Sequence, residues 1–114
     1  MTAVKQFDSY KTMLTEHGEH TALAPGQFER IAKALADPRR FSLLQQIAKA
    51  DLCPFQKLCQ HLPVTKATIS HHMKELVSAG LVETEKEGQF VHARVVPGAV
   101  EAYTRELGRR LGGV

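Results

Sequence analysis

Between Thr65 and Leu81 the chain reads TKATISHHMKELVSAGL, and its hydrogen-bonding and cationic residues recur at helical spacing. Lys66, Ala67, Ser70, His71 and Lys74 fall on one side of a 3.6-residue helix, and no carboxylate shares that side. A row of small, hydrogen-bonding and positively charged groups suits an acidic groove, where ammonium groups meet phosphates or guanine edges and hydroxyls meet base edges. On the other side Ile69, Met73, Leu76 and Val77 make an apolar stripe that predicts burial against a core. Both ends are signalled. Thr65 reads as the N-cap, and Gly80 as a left-handed residue past the C-terminus, with Leu81 folding back on Leu76.

The elements that must position this helix follow from the flanking sequence. Phe55, Leu58, Cys59 and Leu62 stand at i, i+3, i+4 and i+7, so the segment from Pro54 to Leu62 predicts a short amphipathic helix, opened by Pro54 and closed by Pro63. Two helices joined by Pro63-Val64-Thr65 form a helix-turn-helix, whose second member enters the major groove. Upstream, Val4, Phe7, Tyr10, Met13, Leu14 and His17 trace a stripe from about Ala3 to Glu16, and Phe28, Ile31, Ala32 and Leu35 another from Gln27 to Ala36. Asp37-Pro38 ends the latter and starts the next helix, which carries Phe41, Leu44, Ile47 and Ala48 to about Ala50. Downstream, Leu81 to Glu85 and Gln89 to Val95 read as two strands around Lys86-Glu87-Gly88. A last amphipathic helix with Val100, Tyr103, Leu107 and Leu111 follows Pro97.

This order predicts a mainly α fold with a two-stranded β wing: a winged helix-turn-helix with N- and C-terminal dimerisation helices. The 114 residues form one domain, with an N-terminal helix and arm over 1–24, the helix-turn-helix over 54–79, the wing over 81–96 and the C-terminal helix over 97–112. The terminal helices are amphipathic yet lie outside the minimal DNA-binding unit, so each is expected to bury its stripe against a second copy. A homodimer would then hold two recognition helices roughly 34 Å apart on a near-palindromic operator in double-stranded DNA. A formal charge of +3 and a pI near 9.0 agree with an acidic partner only where the charge is clustered. Neither a leader nor a run of eighteen apolar residues is evident, which predicts a cytoplasmic chain without a membrane span. Two cysteines in a reducing compartment are not expected to form a disulfide framework.

Three runs, ALADPRRFSLLQQI (Ala34 to Ile47), TISHHMKELVSAGLV (Thr68 to Val82) and KEGQFVHARVVPG (Lys86 to Gly98), resemble the ArsR/SmtB family of small dimeric winged-helix repressors in order and spacing. The resemblance covers about Phe28 to Gly98. It implies a homodimer that sits on its operator and leaves it when an effector binds at cysteines or histidines. That effector is typically a metal or metalloid ion, and in some members a reactive sulfur or oxidant species. Carried over position by position, Lys66, Ala67, Thr68, Ser70 and His71 fall where the family reads bases and phosphates, and Arg94 falls on the wing strand near the backbone or minor groove. His71 departs from a frequent arginine, and an imidazole offers less than a guanidinium fork. His72 is expected to pack or bond a phosphate, and Arg40 to make a structural pairing.

The family's Cys-x-Cys signature is broken here, in DLCPFQKLC, and the last helix has no His, Cys or Asp for the second family metal site. If Cys53 and Cys59 share one helix, their six-residue separation is about 9 Å of rise, beyond the roughly 7 Å a disulfide tolerates. Cys59 lies on the core stripe and reads as a small hydrophobe. Cys53 reads as a helix N-terminal residue, where the dipole favours thiolate. His17 or His20 joining Cys53 around Zn²⁺ or another thiophilic ion is one candidate sensor, thiol oxidation at Cys53 a second, and a regulator without such a sensor the third. Two other classes stand beside the repressor. A winged-helix protein-interaction module would tolerate loss of Lys66 and Ser70. An enzyme using His71, His72 and Cys59 lacks any accompanying catalytic motif, and adjacent histidines diverge by about 100° on a helix.

Overall fold

The computed structural model describes residues 22–50 and 52–113, with only the backbone of His61. The helix expected from about Ala3 to Glu16, and with it His17 and His20, lies outside the described residues. The described elements run α1 (Gln27–Ala36), α2 (Pro38–Ala48), β1 (Cys53–Pro54), α3 (Phe55–His61), α4 (Lys66–Ser78), β2 (Val82–Glu87), β3 (Phe90–Val95) and α5 (Ala99–Arg110). None of these helices is long and apolar enough to cross a membrane.

Asp37-Pro38 works as the sequence predicts. The proline ring disfavours helical geometry at the residue before it, so Asp37 turns extended (φ −88°, ψ 118°) and α1 stops. Its carboxylate then accepts from the backbone N–H groups of Arg39 (2.9 Å) and Arg40 (3.2 Å), capping α2, while Pro38 occupies the first position, where no N–H is needed. Arg40 makes the structural pairing expected of it, donating to Lys33 O at 3.4 Å and facing Asp37 Oδ2 at 3.9 Å.

The core is built from one face of each helix. Ile31 and Ala34 of α1, Leu43 and Ile47 of α2 and Leu58 of α3 meet Ile69 and Leu76 of α4, and Leu81, Val82, Ala93 and Val96 close it from the sheet side. Burying a large aliphatic side chain stabilises by about 1.5 to 3 kcal/mol, so this cluster is what holds the recognition helix in place.

The wing has the hairpin of the sequence reading and one more strand. β2 and β3 pair antiparallel from Val82↔Val95 to Glu87↔Phe90, so the connection is Gly88-Gln89, with Gly88 at φ 63°. Three of the four strand boundaries therefore shift by one or two residues from the expected ones, and the end at Val95 coincides. β1 adds to the other side of β3, through Cys53↔Ala93 and Pro54↔His92, giving the order β1-β3-β2. Pro54 is tolerated because β1 is an edge strand.

That third strand overturns the expectation for Cys53. Its side chain lies opposite Ala93 in the core at 3% exposure, and α3 begins two residues later, at Phe55. The two cysteines thus do not share one helix. Both thiols are free, and Cys59, expected to be the buried one, is half-buried at the core's edge.

Candidate nucleic-acid interface

The recognition helix α4 is fixed at both ends. Thr65 Oγ1 accepts from Thr68 N–H at 3.1 Å and donates to Thr68 Oγ1 at 2.9 Å, so the cap commits the Thr68 hydroxyl as well. At the other end Gly80 takes φ 78°, its N–H reaches Val77 O at 2.9 Å, and Leu81 N–H reaches Leu76 O at 3.0 Å, the Schellman pair of bonds. Two further carbonyls of this end are taken by α1, through Gln27 Nε2 to Ala79 O (3.1 Å) and Arg30 Nε to Ser78 O (3.2 Å). The guanidinium of Arg30 also complements the negative end of the helix dipole. Gln27 and Arg30 were invisible to periodicity, since both belong to the polar side of their own helix.

Lys66, Ala67, Ser70, His71 and Lys74 are all exposed. Among the described residues neither lysine makes an ion pair. The buried face differs from the expected stripe by one exchange. His72 is 8% exposed and Val77 40%, so the imidazole packs inward and the valine looks out. Burial holds the His72 imidazole below its usual value of 6.5, against the opposing pull of the Asp37 carboxylate. His72 is accordingly a packing residue in the single chain, and its Nδ1 is buried without a hydrogen-bond partner among the described residues.

The wing comes up beside this face. A hollow of about 100 Å³ is shared by Lys66, Gln56 at the start of α3, and Gln89 and Phe90 at the hairpin end. A shallower trough of about 400 Å³ runs between α4 and the sheet, bordered by Ser70, Lys74 and Val77 on the helix and Thr84 and Val91 on the strands. Lys66, Ser70 and Lys74 are therefore continuous with the wing. Gln56, Gln89 and Phe90 join them although their spacing in the sequence carries no signal.

Arg94 is placed away from the hairpin turn. It sits directly across from Glu83, with Nε 3.2 Å from Glu83 Oε2, and both side chains are largely covered. Burial of Glu83 outweighs the attraction of Arg94, so its carboxyl is held above the ordinary carboxylate value.

Of the candidate sensor residues Cys53, His17 and His20, Cys53 alone lies among the described residues. Desolvation raises the Cys53 thiol, with a smaller opposing effect from Lys57, so the site favours thiol over thiolate. Its Sγ makes a long contact of 3.8 Å with Pro54 O. Among the described residues no group of three or more His, Cys, Asp and Glu side chains is gathered for a metal ion.

The comparisons with known proteins agree with this geometry. A helix-turn-helix domain model matches residues 35–85. The arsenical resistance operon repressor of Staphylococcus xylosus is 39% identical over 62 residues, 54% of this chain and 59% of that protein, so the chain spans about three fifths of that relative's length. An ArsR-like transcriptional regulator from Rhodococcus superposes with a TM-score of 0.67 at 28% identity, covering 74% of this chain and 78% of that one. The homodimeric winged helix-turn-helix DNA-binding domain of a possible ArsR-family regulator from Mycobacterium bovis gives a TM-score of 0.59 at 25% identity over 75% and 76% of the two chains. A capped helix with a carboxylate-free cationic face, a wing beside it and this kinship lead to one conclusion: the chain belongs to the ArsR/SmtB family of winged helix-turn-helix transcriptional regulators.

Proposed function

We propose that this chain is a homodimeric repressor that places α4 in the major groove of a near-palindromic operator, lays its wing on the adjoining backbone and leaves the DNA when a small effector binds. The observation that carries the reading is the outer face of α4. Lys66, Ala67, Ser70, His71 and Lys74 stand exposed on a helix whose ends are both immobilised, so the cost of ordering it is met within the fold and not on binding. Lys66 and Lys74 supply phosphate neutralisation, Ser70 and His71 hydrogen bonds to base edges, and Ala67 an apolar contact such as a thymine methyl. Thr68 and Arg94 act from behind, the first as part of the cap and the second through the Glu83 pair that braces the hairpin.

Dimerisation is supported by α5, where Val100, Leu107 and Leu111 leave an apolar stripe uncovered, and by the homodimeric Mycobacterium bovis relative. The testing experiment is a footprint on the DNA upstream of the chain's own gene, with Lys66→Ala and Ser70→Ala as controls. A symmetric footprint that both substitutions weaken is the expected result, and absence of protection on that DNA rejects it. Repeating it with Zn²⁺, Cd²⁺, arsenite and peroxide, for wild type and Cys53→Ser, separates a thiol or metal effector from one of another chemistry.

A further inference from the structure

A cleft of about 530 Å³ opens between α2, the turn that joins α3 to α4, and the first two turns of α4. Leu43, Leu62, Val64 and Ile69 give it apolar walls, Arg39, Ser42, Thr68 and His72 bring polar groups to it, and the capping Thr65 also borders it. Among the described residues no carboxylate lines it. Asp37, whose carboxylate acts on His72, is committed to capping α2 and to Arg40. Arg39 is exposed, and its guanidinium makes no ion pair among the described residues.

His72 adds a second, independent feature. Its Nδ1 is enclosed without a partner among the described residues, which leaves Nε2 as the ring nitrogen open to an occupant. A neutral imidazole carries one proton, and an N–H sealed away without an acceptor is costly, so the proton belongs on Nε2, where an occupant of the cleft can accept it. Guanidinium, hydroxyl and imidazole N–H together call for an anionic, hydrogen-bond-accepting group beside an apolar body. The volume lies in the range of sites that enclose drug-sized molecules.

We propose that this cleft is the effector site of the regulator and that its ligand is a small organic acid, an apolar, ring-sized body bearing one carboxylate. The proposal rests on the reading above that the chain is an effector-released DNA-binding protein. Coupling follows from the placement. An occupant touches α2 and α4 at once and so sets their spacing, while Lys66, Ser70 and His71 ride on the same two turns of α4 that form one wall. Release requires only that the acid favour one spacing over the other.

The test uses the ¹⁵N-labelled full chain, titrated with phenylacetate and indole-3-acetate, with their neutral amides, and with inorganic phosphate, while anisotropy follows binding to the chain's own upstream DNA. Expected are saturable amide shifts at Ser42, Val64, Thr68 and Ile69 with an acid, at least tenfold weaker binding of the matched amide, and loss of that preference in Arg39→Gln. Ser42→Trp, which fills the cleft from an exposed position, is expected to abolish the shifts while thermal unfolding stays cooperative. Saturating acid should weaken DNA binding by wild type at least tenfold, and the amide should not. Silence of the cleft residues towards every acid, shifts scattered over the surface, or phosphate matching the acids there would each overturn the site, the last by making it a seat for DNA phosphate. DNA binding with a silent cleft removes the site alone. Cleft shifts without any DNA binding remove the regulator reading and leave a ligand site.

Discussion

Lys66 and Lys74 stand on the outer face of α4 with no acidic partner among the described residues, so their charges are available to an incoming phosphate. Lys66→Ala is expected to weaken operator binding by about 1 to 3 kcal/mol and to flatten the dependence of log K on log salt by about one. Anisotropy titrations at four salt concentrations check both. An unchanged affinity and slope would mean that the helix does not meet DNA. His72 belongs to the opposite face and to stability. Its folded-state pKa is lowered, chiefly by desolvation, while the unfolded chain takes up a proton near the usual 6.5. The unfolded state then binds more protons, so this contribution is fully present above pH 6.5 and is lost as pH falls through the lowered folded value. The urea midpoint of wild type should drop between pH 7.5 and pH 5.5, and that of His72→Leu should drop less. Cys53 behaves as buried sulfur. Iodoacetamide is expected to modify Cys59 well before Cys53 in the native protein and both alike in urea. Cys53→Ser, which buries a hydroxyl, is expected to cost about 1 to 3 kcal/mol in chemical denaturation.

At the scale of elements, the ends of α4 are the parts most open to substitution tests. Thr65→Ala removes the cap to Thr68 N–H and should cost about 1 kcal/mol. Gly80→Ala is the harsher change. It forces a side chain into φ 78° and into contact with the Gln27 amide that bonds Ala79 O, for a loss of about 1 to 2 kcal/mol from the backbone alone. Denaturant midpoints rank the two, and equal midpoints would show that Gln27 moves aside freely. These ends were legible in the sequence because a cap and a left-handed glycine are decided within four residues of chain. The hairpin was legible for the same reason, through Gly88. The third strand was not. Cys53-Pro54 is too short for any period, and its pairing partner lies forty residues on, in β3. Which of His72 and Val77 turns inward is likewise set by tertiary packing, since both flank the same stripe and α2 takes the histidine's side. The candidate site shows the same division. The helix face was readable from spacing, whereas Gln56 and Gln89, brought to Lys66 by the fold, were not.

For the whole molecule, the question is what covers α5. Its inner side is held to α1. Tyr103 stacks on Phe28 with ring centroids 5.1 Å apart, Arg110 lies over that ring at 4.0 Å and bonds Glu29 at 3.0 Å. Glu106 binds Arg109 and Arg110 together, and those hydrogen bonds hold its carboxyl down to about 2. Its outer side is different, with Val100, Leu107 and Leu111 exposed at i, i+7 and i+11. A second copy seated there would convert binding of two half-sites into one event, the second half meeting its site at high effective concentration. Because these leucines are exposed in the single chain, changing Leu107 and Leu111 to Glu should leave the helical signal in circular dichroism intact. The same double variant should sediment as a monomer and bind the operator at least a hundredfold more weakly, with the footprint reduced to unlinked half-sites. A variant that still sediments as a dimer, with affinity unchanged, would place the partner surface elsewhere and break the link between this stripe and the paired reading of DNA.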